Sequence, residues 1–399
     1  MKIIQEIKGN VARNCHPIGL KQTVLDQIQH IESVGSIYGP KKVLIIGASS
    51  GYGLAARIAL AFGGGADTIG VSYEKAPGEK GIGTAGWYNN VYLKEYAEAR
   101  GLTAKNFNLD AFSDSTRKDV ADFIKEVFGG KIDLLVYSVA TGVRVAPDGT
   151  KYTSTLGVQE KPFSGPGFCL ENQVLSEQTL EPVTEKQLHD TVKVMGGEDW
   201  QLWVNFLAQA GVLSDNFKTV AFSYIGPEST YPLYKEGSLG AAKAHLHTTA
   251  DVLNEQLRAT GGSAYIAVCK ALVTKASAYI PVFPLYITLL YRVMKQKRIH
   301  ETCIGQMHRL MFSYLYPTTG DVNTDDRRLI RLDDLELRPD VQAEVERLRQ
   351  LVTPQNFKQI GDFSGYVAEF SALNGFGLAG IDYTKDIPQE YIDKLLLPD

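Results

Sequence analysis

A chain of 399 residues is long enough to bury a large core, as one big α/β domain or two smaller ones. Its 44% hydrophobic and 22% charged residues are globular values, and a net charge of −4 gives no general reason to expect nucleic acid or an anionic membrane as a partner. Cys15, Cys169, Cys269 and Cys303 form no C-x-x-C pair, so neither a disulfide framework nor a zinc site is suggested. The first residues, MKIIQEIKGNVARNCHP, lack the long apolar run of a signal peptide, which makes the cytoplasm the default expectation.

Taken in order, Ile3, Ile4 and Ile7 suggest a short β element and 22–37 a helix covering a sheet. Residues 41–53, KKVLIIGASSGYG, read as a buried strand over 43–46 that runs into a glycine-rich turn. A helix follows from Leu54, with Leu54, Ile58, Ala61 and Phe62 on its apolar side, until Gly63-Gly64-Gly65 stops it. A second strand over 67–73 ends at Glu74, a helix spans 87–100, and a third strand over 103–109 ends at Asp110. A helix over 113–128 leads to a fourth strand over 132–137, with Ser138-Val139 at its end. Strands alternating with helices at this spacing predict a doubly wound parallel sheet of Rossmann type, with ligands at the strand C-termini.

The rhythm breaks over 143–183, rich in Pro, Gly, Thr and Ser, as an insertion or functional loop would be. A helical stretch over 184–211 is interrupted at Gly196-Gly197, and 218–224 makes a fifth strand. A long helix over 238–260 and a sixth strand over 263–272 follow. The apolar run 280–294 is too short to span a bilayer and carries Pro281, Pro284, Tyr286 and Tyr291. It reads as a buried core helix, or as a helix over the site that lines a channel for a greasy substrate. Beyond Asp325 the chain turns charged, with a helix over 340–351. No break cuts off an independent domain, so residues 1–399 read as one unit. Within it, 1–140 is the cofactor half, 141–320 the catalytic and substrate-covering half, and 321–399 a helical extension.

The turn Gly47-x-x-x-Gly51-x-Gly53 is built for a dinucleotide. Gly47 allows the tight turn, Gly51 lets backbone approach a pyrophosphate, and Gly53 lets helix and strand pack closely, while the helix N-terminus favours phosphate. Its spacing is that of the short-chain dehydrogenase/reductases. An acid about twenty residues on, Glu74, is placed to bind the adenosine ribose hydroxyls and to repel a 2′-phosphate. NADH is therefore expected over NADPH, with the neighbouring Lys75 as a cation that could act the other way; the plainer reading of Glu74 is a solvated strand end. Asp110 is placed to bond an adenine amino group.

At the end of the fifth strand stand Tyr224, Tyr231, Tyr234 and Lys243. Nine steps on one helix turn through about 180°, so Tyr234 and Lys243 serve one site only if Tyr234 precedes the helix proper. Gly237-Ser238 offers a start, with Ser238 as N-cap. Otherwise the two are a loop tyrosine and a solvated helix lysine. His245 and His247, two apart on a helix, do not share a face, which argues against a metal pair.

GASSGYG, VSYE, IGTAGWYNN, NLDAFSD, KVMGGEDW, the Y-x8-K spacing and ALVTKASAYIPVFPLY together resemble the trans-2-enoyl-CoA/enoyl-ACP reductase family, over essentially the whole chain. The resemblance implies NADH-dependent reduction of the trans-2 double bond of an acyl thioester carried by CoA or acyl carrier protein, by a monomer. The family is sometimes given a flavin-binding C-terminal segment, but nothing in 325–399 argues for flavin chemistry and hydride transfer from NADH does not need it, so neither flavin nor metal is expected. The resemblance implies that Gly47, Ala48, Ser49, Ser50, Gly51 and Tyr52 hold the pyrophosphate and Tyr73 and Glu74 the ribose. Asp110 and Ala111 would meet the adenine, and Ser138 and Val139 the nicotinamide side. Lys243 and the backbone of Leu272, Val273 and Thr274 would contact the cofactor, Tyr224 the substrate, and Tyr234 would donate the proton. A nearby ammonium is expected to lower the Tyr234 pKa. A 3-oxoacyl carbonyl reductase and a non-catalytic NADH sensor are the competing readings.

Overall fold

Seven strands form one sheet, in the computed structural model, which describes residues 1–78 and 81–395. They are Lys42–Ile46 (β1), Asp67–Ser72 (β2), Ala104–Asn108 (β3), Ile132–Tyr137 (β4), Leu213–Ser223 (β5), Ser263–Val268 (β6) and Leu329–Arg331 (β7). Every pairing is parallel and the spatial order is β7-β6-β5-β4-β1-β2-β3. The order reverses between β1 and β4, which is where a doubly wound sheet opens a crevice at its C-terminal edge.

Both faces of the sheet are covered, so the interior strands, KVLII and IDLLVY among them, are apolar on both sides. Val43 and Ile45 of β1 join the core under helices Pro17–Ser33 (α1), Gly51–Ile58 (α2) and Ala85–Glu98 (α3). Leu44 and Ile46, one residue out of phase, join the opposite core. Helices Asp114–Val127 (α4), Glu198–Gln209 (α6) and Ser238–Leu257 (α7) close that face, and Glu185–Met195 (α5) packs on α7. A third apolar cluster gathers Leu233, Tyr234, Ala271, Leu272 and Val273, and it includes most of Phe283–Gln296 (α8). Pro339–Gln350 (α9) and Phe363–Ala372 (α10) complete it.

The sheet follows the sequence expectation for six strands, and several details differ. The first helix is α1, which starts five residues earlier than expected, with His16 as its N-cap. The short N-terminal β element is a hairpin of Ile7–Lys8 and Val11–Ala12. α2 begins at Gly51 rather than Leu54, so the helix takes in the last two glycines of the turn, with Gly51 itself at φ +54°. The stretch 143–183 holds two antiparallel hairpins, Val143–Val145 with Lys151–Thr153 and Phe163–Cys169 with Val174–Leu180. β5 begins five residues early, with a register shift between Leu213 and Lys218. The C-terminal stretch is not purely helical, because β7 extends the sheet beside β6. Among the described residues no helix is long and apolar enough to cross a membrane.

Candidate active site

The glycine turn is made by the absence of side chains. Gly47 has φ +85°, and a Cβ there would lie 2.2 Å from the Ser138 carbonyl oxygen. A Cβ on Gly53 would lie 2.0 Å from the Gly47 carbonyl oxygen, backbone against backbone. At Gly51 the space is open except for the Thr274 methyl at 3.7 Å. Ser50 precedes α2 without capping it by its side chain, so the first N–H groups of the helix stay available to an anion. A cradle that a Cβ would fill, at the N-terminus of α2 and against Ser138, fits a dinucleotide pyrophosphate.

Glu74 is not an idle strand end. Its carboxylate accepts from the hydroxyls of Ser49, at 2.6 Å, and Thr84. Its backbone N–H donates to the Asn108 side chain, which returns an N–H to the Glu74 carbonyl oxygen. A Cβ on Gly86 would meet the carboxylate at 2.0 Å. Asn89 donates to the Ser49 carbonyl oxygen, so IGTAGWYNN forms the wall of this corner. Tyr73 stands 81% exposed at its lip. Asp110 accepts from the Phe112 N–H at 3.0 Å, and the Ala111 carbonyl oxygen accepts from Trp203.

Across the C-terminal strand ends, the segment after β6 comes to meet the turn. Tyr52 donates its hydroxyl to the Lys270 carbonyl oxygen at 2.8 Å, and Thr274 caps the helical turn Lys275–Tyr279 by accepting from the Ser277 N–H. The Val273 N–H donates to the Tyr291 hydroxyl, and the Leu272 carbonyl oxygen accepts from Ser277. Residues 272–274 and the glycine turn thus face one another.

Tyr234 ends the one-turn helix Tyr231–Tyr234, ahead of α7, as a shared site with Lys243 requires. Gly237, not Ser238, is the N-cap of α7. The Ser238 hydroxyl donates to the Thr155 carbonyl oxygen instead, because the chain around Gly157 lies against that corner. The rings of Tyr224 and Tyr234 meet edge to face with centroids 4.5 Å apart, and Phe283 roofs both at 5.4 and 5.0 Å. The apolar run over 280–294 is therefore a core helix whose Phe283 packs on both tyrosine rings.

Lys243 donates to the Phe222 carbonyl oxygen at 3.1 Å, two residues before Tyr224, and desolvation lowers its ammonium to about 8. The expectation that an ammonium lowers the Tyr234 pKa is overturned. Burial, and after it the charge of Glu336, holds the Tyr234 phenol well above its ordinary value. Tyr234 is thus a neutral O–H donor near neutrality. His245 accepts from the Gly197 N–H and His247 pairs with the Ser223 hydroxyl, so the two rings serve different neighbours.

Sequence reasoning missed Glu336. It is fully buried, and its carboxylate accepts from Tyr224 at 2.7 Å, Tyr286 at 2.6 Å and the Ala271 N–H at 2.6 Å. Burial raises its pKa, while the bonds from Tyr286, Ala271 and Tyr224 act in the other direction. Nothing in RLDDLELRPD distinguishes this acid from its solvated neighbours.

Three family models cover the chain: the NAD(P)H binding domain of trans-2-enoyl-CoA reductase over 2–79, its catalytic region over 81–316, and an enoyl reductase FAD binding domain over 324–387. The chain belongs to the trans-2-enoyl-CoA reductase family. Family relatives include the NADH-dependent enoyl-acyl-carrier-protein reductase 2 of Photobacterium profundum, 52% identical with 98% of each chain covered. The NADH-dependent trans-2-enoyl-CoA reductase of Clostridium acetobutylicum is 48% identical, again over 98% of each chain. A trans-2-enoyl-CoA reductase of Clostridium acetobutylicum solved in complex with NADH superposes with a TM-score of 0.97 at 47% identity, covering 99% of this chain and all of that one.

Proposed function

We propose that this protein reduces the trans-2 double bond of enoyl thioesters with NADH, giving the saturated acyl thioester. The observation that carries the reading is the edge-to-face pair of half-buried Tyr224 and buried Tyr234 under Phe283, at the same strand ends as the open glycine cradle. Gly47 to Tyr52, Tyr73-Glu74, Asp110-Ala111, Ser138-Val139, Lys243 and Leu272 to Thr274 are assigned to the dinucleotide, and Tyr224 to the substrate wall. NADH, when bound, supplies a hydride, which the β-carbon of the enoyl group receives.

The residues of the chain do the rest. The Tyr234 hydroxyl donates to the thioester oxygen and strengthens that bond as enolate charge develops, which favours the transition state over the ground state. Tyr234 then supplies or relays the proton to the α-carbon. Phe283 and its apolar neighbours exclude water and accept the acyl chain. The Glu74 carboxylate supports a preference for NADH, since a 2′-phosphate beside it meets like charge.

Several finer assignments belong to the same reading. The carrier is CoA or acyl carrier protein, in fatty acid synthesis or reductive acyl-CoA metabolism, and the enzyme is read as a cytoplasmic monomer. Residues 1–399 are taken as one reductase domain, supported by β7 pairing with β6 and by Glu336 reaching Tyr224. Flavin is left out: polar side chains of 324–387 are spent on the chain itself, Asp333 on Arg331, Asp362 on Lys295 and Glu369 on Tyr291.

The test is NADH oxidation by the pure protein without added flavin, on crotonyl-CoA, with acetoacetyl-CoA and NADPH in parallel. Loss of NADH absorbance with crotonyl-CoA is expected. Oxidation only with acetoacetyl-CoA moves the function to carbonyl reduction, and tight NADH binding with neither substrate turned over makes the protein a sensor.

A further inference from the structure

Glu336 follows β7 in the chain yet ends at the tyrosine pair, and its three donors come from three separate elements. Tyr224 extends from β5, Tyr286 sits on α8, and Ala271 lies just after β6. Gln342 of α9 steadies the cluster, donating to the Glu336 carbonyl oxygen at 2.6 Å and to the Tyr286 hydroxyl at 3.2 Å. A phenol has one hydrogen to give. Tyr224 and Tyr286 give theirs to the carboxylate, and charge-assisted bonds of this kind are about twice as strong as neutral ones. Tyr234, against the ring of Tyr224 at 4.5 Å, feels Glu336 as a charge and not as a hydrogen-bond partner.

Two adjacent tyrosines are thereby made chemically unequal. A phenol whose hydrogen is committed presents only lone pairs to a bound substrate, and lone pairs repel an oxygen that is gaining negative charge. A phenol with a free hydrogen attracts it. We propose that Glu336 is a positioning residue for enoyl reduction: by taking the hydroxyl hydrogens of Tyr224 and Tyr286, with the Ala271 N–H fixing the carboxylate, it leaves Tyr234 as the O–H donor to the thioester oxygen. This rests on reading the site as an enoyl thioester reductase. Without the carboxylate, the Tyr224 hydroxyl is free to turn and offer its own hydrogen, competing with Tyr234 for the thioester oxygen and drawing it out of place.

The test is a double-mutant cycle in steady-state turnover of crotonyl-CoA, with NADH saturating. Glu336→Gln keeps the volume but replaces one acceptor oxygen by a donor. It is expected to lower kcat about tenfold or more in the native background, and by less than about threefold when Tyr224→Phe has already removed the competing hydroxyl. A purely structural role costs the same factor in both backgrounds, and that result overturns the proposal. So does an unchanged kcat in folded Glu336→Gln. If Glu336→Gln does not fold, as judged by near-UV circular dichroism, Tyr286→Phe takes its place. It loosens the same carboxylate and should lower kcat in the native background and not in Tyr224→Phe; an equal loss in both overturns the proposal. Failure of the unmutated protein to reduce crotonyl-CoA overturns the reading of the site and this inference together, whereas the other outcomes bear on Glu336 alone.

Discussion

The two ends of the crevice are built on opposite principles. At the cofactor end, Gly47, Gly53 and Gly86 make room, and each does so because no side chain is there. At the end assigned to the substrate, Tyr224, Tyr234, Phe283, Tyr286 and Glu336 fill room, and each depends on a neighbour from a distant part of the chain. Backbone geometry at the first end tolerates almost no substitution. Side-chain chemistry at the second end allows the fold to survive a change that removes the reaction.

That contrast is sharpest at Gly53. A Cβ there meets the Gly47 backbone at 2.0 Å, and neither strand nor helix has freedom to retreat. Gly53→Ala is expected to weaken NADH binding by about a hundredfold or more, read by fluorescence titration, and to lower Tm. Binding within a few-fold of normal would break the argument for the cradle. At the other end, Tyr234→Phe should keep the fold and NADH binding while losing roughly a hundredfold in turnover, the scale of one oxyanion donor. Near-normal turnover would take Tyr234 out of the reaction.

Lys243, bonded to the Phe222 carbonyl oxygen, has an expected pH signature. Its ammonium, lowered to about 8 by desolvation, is neutral in the free protein above that pH. Since kcat/KM reports the free enzyme, the value for NADH should fall about tenfold per pH unit above that point. Lys243→Met should flatten this limb, and an identical limb in that variant would assign it elsewhere. The smallest effect is expected at Glu74. Glu74→Gln keeps much of the bonding to Ser49 and Thr84 and removes the charge, so kcat/KM for NADPH should rise about tenfold. No gain would mean that Lys75 or the wall, rather than like charge, selects the cofactor.

The same contrast decides what could be read from the chain alone. Gly47, Gly51 and Gly53 lie within seven consecutive residues, and apolar runs announce β1, β2 and β4, so that half was legible from local pattern. Resemblance supplied Tyr234 and Lys243, while spacing showed only that Tyr234 must precede α7. The hairpin Phe163–Cys169 with Val174–Leu180 was hidden because FSGPGFC carries two glycines and a proline, which read as loop. β7 was hidden by its length, three residues, LIR. Glu336 was hidden because its burial comes from tertiary neighbours, and one acid in a charged stretch has no periodicity to betray it. The expected fall in the Tyr234 pKa failed for a related reason: spacing located a cation but not the enclosing protein.

The order of the strands also bears on how the chain is made. β4 is interior in the finished sheet, between β1 and β5, but β5 begins only at Leu213. At roughly 5–20 residues per second, the intervening stretch of about 75 residues takes on the order of 4–15 s to emerge. For that interval β4, with Leu134, Leu135 and Val136, is an unpaired apolar edge on the nascent protein, the kind of edge that recruits other chains. The strand that ends just before Ser138 is thus the one a chaperone would have most reason to guard.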